Sequence, residues 1–121
     1  YGSRREITSA ARALIVDSVK RGIDPSTLTE ADFESHLWTA SLGELSNVDL
    51  MIRTSGEIRV SNFLLWQAAY AEYVFIDKCW PDFSIEDLNS AIKEYSNRDR
   101  RFGGLKNTRS PSGSAPQEKL A

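Results

Sequence analysis

The spacing of apolar side chains in the first half of the chain predicts two helices followed by a buried strand. Residues 6–21 carry apolar side chains at helical spacing and present one apolar face. Thr29 and Asp32 match the capping-box pattern ahead of further apolar residues, which predicts a short helix over 30–39. Residues 48–53 are a short apolar run, whose length is typical of a buried strand in a parallel sheet.

The same pattern predicts a helix, a strand and a last helix in the second half. Residues 61–73 are apolar nearly all round, which predicts a helix that begins at Ser61 or Asn62 and is buried on most sides. Residues 74–76 suit a second strand, and Ser84 is placed to cap the last helix. The order of elements indicates βαβ units on a parallel sheet, and therefore the α/β class.

Composition narrows this picture without giving a function. The chain has 121 residues, a net charge of −2 and 40% hydrophobic residues, which fits one globular unit. This charge balance gives no reason to expect a nucleic-acid partner. The one cysteine, Cys79, excludes an internal disulfide and is predicted to be a small buried apolar residue. Residues 105–121 are poor in apolar side chains and are predicted to form a disordered tail.

Five polar residues recur at every second position from the end of the first predicted strand. We call them the arginine cluster: Arg53, Ser55, Glu57, Arg59 and Ser61. An extended segment would place them on one side, although Gly56 permits a turn. Ligands of open α/β sheets bind beyond the carboxyl ends of strands, and a helix N-terminus at Ser61 would favour an anion.

Arginines, hydroxyls and a helix N-terminus together favour a phosphate or diphosphate. A carboxylate beside such a group indicates Mg²⁺, because like charges need a cation between them. The alternative is that the same side chains form surface ion pairs of little energetic consequence. Spacing alone leaves both interpretations open.

Glu72 is the second carboxylate that the pattern singles out. It follows an otherwise apolar segment, where a bare charge is costly. On a helix it would lie roughly 16 Å along the axis from Ser61, at ~1.5 Å per residue. It would then serve another wall of a larger pocket or act across a dimer interface. The alternative is a partly exposed glutamate at a helix end.

Three motifs resemble those of the cis-prenyltransferases. DLMIRTSGEIRVSNFLLWQAAYAEYVF followed by WPDF is similar to the C-terminal signature of that family, closest to the bacterial undecaprenyl diphosphate synthases. YGSRREI resembles the family's Tyr-Gly-Gly-Arg element, and RDRRFGG resembles the closing motif of homodimeric bacterial members. The resemblance implies that residues 1–104 are the C-terminal part of a parallel-sheet, Rossmann-like α/β domain.

The implied activity is the sequential condensation of isopentenyl diphosphate onto an allylic diphosphate such as farnesyl diphosphate. The product would be a long Z-polyprenyl diphosphate for lipid-carrier and cell wall synthesis. The resemblance implies roles in substrate binding for Arg53, Arg59, Ser61, Glu57, Arg101 and Gly103. It further implies Mg²⁺ as cofactor, with Glu72 as its ligand, a homodimer, and a cytoplasmic location with at most peripheral contact to the inner membrane.

Two departures from the family pattern qualify these expectations. Ser55-Gly56-Glu57-Ile58 stands where the family often has Gly-Gly-Glu-His, so a member of a proton relay is missing. The chain also lacks the family's Asp-Gly-Asn-Arg loop, whose aspartate binds Mg²⁺, so no catalytic residue is assigned. We therefore expect this chain to be the C-terminal half of a synthase and to be inactive alone. The alternatives are a non-catalytic partner subunit of a two-component cis-prenyltransferase and a generic phosphate-binding α/β domain.

Overall fold

The computed structural model describes residues 1–98. Its helices and strands are α1 (Ser3–Arg21), α2 (Glu30–Glu34), β1 (Leu50–Arg53), β2 (Glu72–Phe75) and α3 (Ile85–Ser96). Short 3₁₀ turns lie at Pro25–Thr27, Ala40–Ser46 and Trp80–Asp82. The predicted tail over 105–121, Arg101 and Gly103 lie outside the described residues, so the expectations placed on them stay predictions.

The two strands form a parallel ladder. Leu50 pairs with Glu72 at one end and Arg53 pairs with Phe75 at the other. α3 packs against both strands, and α1 packs against α2. Val74, on β2, is one of the buried apolar residues. This arrangement confirms the α/β class with a parallel sheet. No helix within residues 1–98 has the length and apolar character that crossing a membrane requires.

Local capping explains where two of the helices begin. Thr29 and Asp32 form a capping box at α2, and Ser84 and Asp87 form another at α3, as the sequence pattern predicts. α2 is shorter than the predicted helix over 30–39. After Glu34 the chain tightens into turns with hydrogen bonds three residues apart, so the α-helical pattern ends there.

The predicted helix over 61–73 is wrong. Residues 61–71 pass through turns and bends, and the backbone of Ser61, Asn62 and Leu64 has φ of +53°, +58° and +49°. These left-handed values cannot belong to a right-handed helix. The segment leads into β2, whose backbone forms hydrogen bonds with β1 and not within a helix.

Two smaller expectations also need correction. The strands predicted over 48–53 and 74–76 are observed at Leu50–Arg53 and Glu72–Phe75. Cys79 is exposed, not buried, because it lies in the loop between β2 and the 3₁₀ turn.

A buried carboxylate ties α1 to the two segments that flank β1. Glu6 is 0% exposed. Its Oε1 accepts hydrogen bonds from the backbone N–H of Trp38 and from Gln67 Nε2, both at 3.0 Å, and its Oε2 accepts one from the Tyr1 hydroxyl. Gln67 Nε2 also donates to Thr39 Oγ1 at 3.0 Å. A buried charge is tolerated here because three donors surround it.

Candidate functional site

The structure brings the two ends of the arginine cluster together. Arg53 is the last residue of β1 and is half-buried. Its Nη2 donates to Ser61 Oγ at 3.5 Å, across eight residues of chain. This distance marks a weak hydrogen bond, so the guanidinium stays free to bind a stronger acceptor.

A tight turn after β1 makes this approach possible. Ser55 and Gly56 have φ of +66° and +65°. The backbone N–H of Ser55 donates to the carbonyl of Lys78 at 2.8 Å, and that of Gly56 donates to the carbonyl of Ile76 at 3.1 Å. The segment therefore folds back at once and is held to the loop after β2. The predicted alternation of one extended segment is broken at this turn.

Glu57 and Arg59 form an ion pair on the surface of this segment. The Arg59 side chain is 67% exposed and that of Glu57 is 38% exposed. The Glu57 oxygen that makes the pair, Oε2, is itself shielded from water. A guanidinium has five N–H donors, so Arg59 keeps donors for an anion, and an anion of higher charge competes with Glu57 for them.

A small cavity of about 10 Å³ lies between the two arginines. Its lining comprises Met51, Arg53, Arg59, Val60, Phe63 and Tyr73. The volume is close to what one water molecule occupies. Arg53 and Arg59 therefore share one pocket, and the other four lining residues are apolar or aromatic.

A larger cavity of about 450 Å³ has the wrong charge for an anion. It lies by the residues that lead into β1, away from Arg53, and its lining includes Glu30, Glu34 and Asp49. Three carboxylates repel a phosphate, so the small basic pocket is the better candidate site despite its size.

The helix N-terminus expected at Ser61 does not contribute to the site, because no helix begins there. The helix N-terminus that lies near this segment is that of α1, and its first two backbone N–H groups donate to Asn62. Ser3 donates its N–H to the Asn62 carbonyl and Arg4 donates to Asn62 Oδ1, both at 2.9 Å. Sequence reasoning missed Asn62 and Ser3. The available signal was Gly2 at the N-cap of α1: it has no side chain, so another residue has to accept the first N–H groups of the helix.

Glu72 lies apart from the arginine cluster. It is the first residue of β2 and pairs with Leu50, whereas Arg53 ends the other strand. Three strand positions separate the two ends, or roughly 10 Å at ~3.3 Å per residue. The helical position predicted for Glu72 was wrong, because Glu72 lies on β2. Glu72 and the cluster nevertheless occupy opposite ends of the ladder.

Arg98 neutralises Glu72. Its Nη1 donates to Glu72 Oε2 at 2.9 Å and to the Tyr73 carbonyl at 2.8 Å, and its Nη2 pairs with Glu94. Hydrogen bonds to Glu72 and then to Glu94 raise the pKa of Arg98. The negative charge of Glu72, which is costly in an apolar segment, is therefore balanced by Arg98, which follows the C-terminal end of α3.

The described residues supply at most part of a Mg²⁺ site. Within residues 1–98 no group of three His, Cys, Asp or Glu side chains is placed to hold a metal ion. Within that range the Glu72 carboxylate pairs with Arg98 through Oε2. Mg²⁺ often takes one or two carboxylates with substrate phosphates and water, so a carboxylate such as Glu72 would suit it as a single protein ligand.

Comparisons with known proteins identify the family of this chain. The family model described as "Putative undecaprenyl diphosphate synthase" matches residues 1–103. The chain is 58% identical over 103 residues to "Decaprenyl diphosphate synthase" of Mycolicibacterium smegmatis, covering 85% of this chain and 34% of that protein. It is 51% identical over 105 residues to "Isoprenyl transferase" of Listeria monocytogenes, covering 87% of this chain and 40% of that protein.

Two solved structures share the fold. Lavandulyl diphosphate synthase from Lavandula x intermedia, in complex with dimethylallyl diphosphate, superposes with a TM-score of 0.77 at 44% identity over 85% of this chain and 43% of that one. A probable undecaprenyl diphosphate synthase from Campylobacter jejuni gives 0.68 at 35% identity over 85% of this chain and 44% of that one. The chain thus spans less than half the length of these relatives. It belongs to the undecaprenyl diphosphate synthase family of prenyltransferases.

Proposed function

We propose that the protein carrying this chain is a cis-prenyltransferase that condenses isopentenyl diphosphate repeatedly onto an allylic diphosphate such as farnesyl diphosphate. The product is a long Z-polyprenyl diphosphate used as a lipid carrier in cell wall synthesis. The names of the relatives support a prenyl diphosphate product. The structural neighbour that holds dimethylallyl diphosphate supports an allylic diphosphate as a ligand of this fold.

The observation that carries the proposal is the shared pocket of Arg53 and Arg59 beside the Ser61 hydroxyl. Two guanidinium groups and a hydroxyl give the charge-assisted hydrogen bonds that a diphosphate requires. A cavity of about 10 Å³ is too small for a diphosphate, so this group binds at the cavity mouth. Arg59 then binds a phosphate oxygen through its remaining N–H donors or exchanges Glu57 for it, since the phosphate carries the higher charge.

The reaction needs the two substrates held in a fixed relation. The allylic C–O bond breaks and its electron pair leaves with the diphosphate. The double bond of isopentenyl diphosphate supplies the electron pair for the new C–C bond, and loss of a proton from the adjacent carbon forms the Z double bond. The arginine cluster contributes by fixing isopentenyl diphosphate through its own diphosphate, which is catalysis by proximity. Mg²⁺, when bound, stabilises charge on the leaving diphosphate, with Glu72 as one ligand.

The remaining parts of the proposal rest on the family resemblance. We propose a homodimer in which Arg101 and Gly103 reach the partner's active site, and in which Glu72 acts from the same chain or across the interface. We propose a cytoplasmic protein that contacts the membrane only peripherally. These features concern the whole protein, and this chain spans less than half the length of its relatives.

A product assay tests the proposal. The natural full-length protein is incubated with isopentenyl diphosphate, farnesyl diphosphate and Mg²⁺, and the products are analysed by mass spectrometry and by NMR of the double bonds. We expect a series of products that grows by one isoprene unit, with new Z double bonds. No elongation, or elongation with E double bonds, would contradict it.

Two controls separate the alternatives. Calorimetry compares isopentenyl diphosphate with inorganic pyrophosphate. Equal affinities together with no product would indicate a generic phosphate-binding domain. A protein that forms product only when a second, different subunit is added would be a partner of a two-component enzyme.

A further inference from the structure

α1 begins without a cap of its own. Its N-cap residue is Gly2, which has the extended backbone of an N-cap but no side chain to accept a hydrogen bond. In most helices the N-cap side chain accepts the N–H of the second or third helical residue. Here the second helical N–H, that of Arg4, goes to Asn62 Oδ1 at 2.9 Å, across 58 residues of chain. The Asn62 carbonyl accepts the first N–H, that of Ser3, at 2.9 Å.

The start of α1 in turn holds the segment around Asn62. Ser3 is 0% exposed, and its Oγ accepts a hydrogen bond from the backbone N–H of Leu65 at 2.8 Å. The rings of Tyr1 and Phe63 meet edge to face at 5.5 Å between centroids. Residues 62–65 are therefore bound to α1 from both of their ends.

This anchor is needed because the local backbone is unfavourable. Ser61, Asn62 and Leu64 all have left-handed φ values. Asparagine adopts this region more readily than other non-glycine residues, whereas serine and leucine do so at a cost. A run of such residues persists only where surrounding contacts hold it. The hydrogen bonds to α1 are the contacts that do so here.

We infer that Asn62 and Ser3 are positioning residues for isopentenyl diphosphate, which hold Ser61 and Arg59 in place beside Arg53 by fixing their segment to the start of α1. The inference rests on the proposed function. Neither residue needs to touch the substrate, and Ser3 cannot reach it because its side chain is fully buried. The turn after β1 fixes one end of the arginine cluster, and the Asn62 anchor fixes the other.

Steady-state kinetics of the natural full-length protein test this role. Asn62→Gly keeps a residue that accepts left-handed φ but removes the Oδ1 acceptor. We expect the KM for isopentenyl diphosphate to rise roughly tenfold, the factor that corresponds to ~1.4 kcal/mol. The kcat and the KM for the allylic substrate should stay within about twofold, because the anchor acts on one substrate site only. Ser3→Ala should change the same parameter in the same direction.

Ser18→Ala is the matched control for Ser3→Ala. Ser18 is also on α1 and is only 5% exposed, but its hydroxyl donates to the Leu14 carbonyl of its own helix at 2.7 Å. We expect this variant to keep the wild-type KM for isopentenyl diphosphate. An equal rise in Ser18→Ala and Ser3→Ala would show that any disturbance of α1 has this effect, and would overturn the inference.

A double variant separates positioning from helix stability. Gly2→Ser combined with Asn62→Gly gives α1 a local cap, and the room exists because the Asn62 side chain, whose Nδ2 lies 3.1 Å from a Cβ at Gly2, is removed. We expect the thermal stability to recover while the KM for isopentenyl diphosphate stays high. Recovery of both would overturn the inference, since Asn62 would then act only as a helix cap.

Arg59→Ala distinguishes failure of the inference from failure of the proposed function. If Arg59→Ala raises the KM for isopentenyl diphosphate but Asn62→Gly and Ser3→Ala do not, the inference is wrong and the proposed function stands. If none of the three variants changes this KM, the diphosphate site itself is wrong.

Discussion

The buried carboxylate of Glu6 allows a quantitative prediction of stability. Leucine at this position has a similar volume but no oxygen, so Glu6→Leu removes an acceptor from three donors. The backbone N–H of Trp38 would be left in a partly buried place without its acceptor. Gln67 Nε2 would keep Thr39 Oγ1, and Tyr1, which is 62% exposed, could turn its hydroxyl to water.

The expected loss of stability follows from what happens to these three donors. A buried donor without a partner costs about 1–3 kcal/mol, and a hydrogen bond to a charged group contributes about 1.5–3 kcal/mol. The loss for Tyr1 is small because water replaces its partner. Relief from burying a charge offsets part of the total. We therefore expect Glu6→Leu to lower the free energy of unfolding by about 2–4 kcal/mol, a large share of the ~5–15 kcal/mol typical of natural proteins.

Urea unfolding of the natural protein, followed by circular dichroism, measures this loss. Glu6→Gln is the matched control, because its carbonyl oxygen can accept from Trp38 and its amide can donate to the Tyr1 hydroxyl. We expect this variant to stay within about 1 kcal/mol of wild type. Wild-type stability of Glu6→Leu, or an equal loss in both variants, would refute the reasoning.

Three further predictions concern other parts of the structure. Ser55→Gly should raise the unfolding midpoint and Gly56→Ala should lower it, because both positions have left-handed φ. Differential scanning calorimetry measures both midpoints, and shifts of the opposite sign would contradict this prediction. Hydrogen bonds, of which those from Lys78 have the largest effect, lower the pKa of Asp87 from 3.8 to about 2. The ionised Asp87 therefore contributes fully to stability above pH 3.8, and this contribution is lost as the pH falls towards 2. Asp87→Asn should lack that decline in thermal melts recorded between about pH 5 and 2. If Glu72 acts across the dimer, mixing Glu72→Ala chains with chains mutated in the arginine cluster should restore activity; the absence of rescue in confirmed heterodimers would exclude action across the interface.

Local signals were enough to predict the starts of α2 and α3 and the strand that positions Arg53, whereas α1, predicted over 6–21, begins at Ser3 without a local cap. Thr29 and Ser84 cap α2 and α3 as the pattern indicates, because capping depends on residues three apart. The strand before Arg53 is also local, since a short apolar run suits few other structures. The α/β class followed from these elements and their order.

The segment between the strands could not be predicted in the same way. An apolar run from Phe63 to Tyr73 is compatible with a helix or with packed turns, because hydrophobic periodicity does not separate them when nearly every residue is apolar. The left-handed backbone at Ser61 and Asn62 is what excludes the helix. Asn62 hinted at such a conformation, but the contacts that hold it come from α1, at a distance that sequence pattern does not cover.

The candidate site was predicted in part for a comparable reason. The end of a strand is a local feature, so the place of Arg53 at the end of β1 could be predicted, whereas its approach to Ser61 depends on the turn at Ser55 and Gly56. The Glu57–Arg59 pair is a contact of the kind that the surface ion-pair alternative predicted. The bond from Arg98 to Glu72 joins residues 26 positions apart, so it depends on tertiary folding and was not foreseen.

The most direct test of the central claim is the kinetic comparison of Arg59→Ala with wild type in the natural full-length protein. We expect the KM for isopentenyl diphosphate to rise at least roughly tenfold, as the loss of a charge-assisted hydrogen bond implies, while the KM for the allylic substrate stays close to wild type. An equal rise in both constants, or no rise in either, would contradict the claim that the arginine cluster binds the diphosphate of isopentenyl diphosphate.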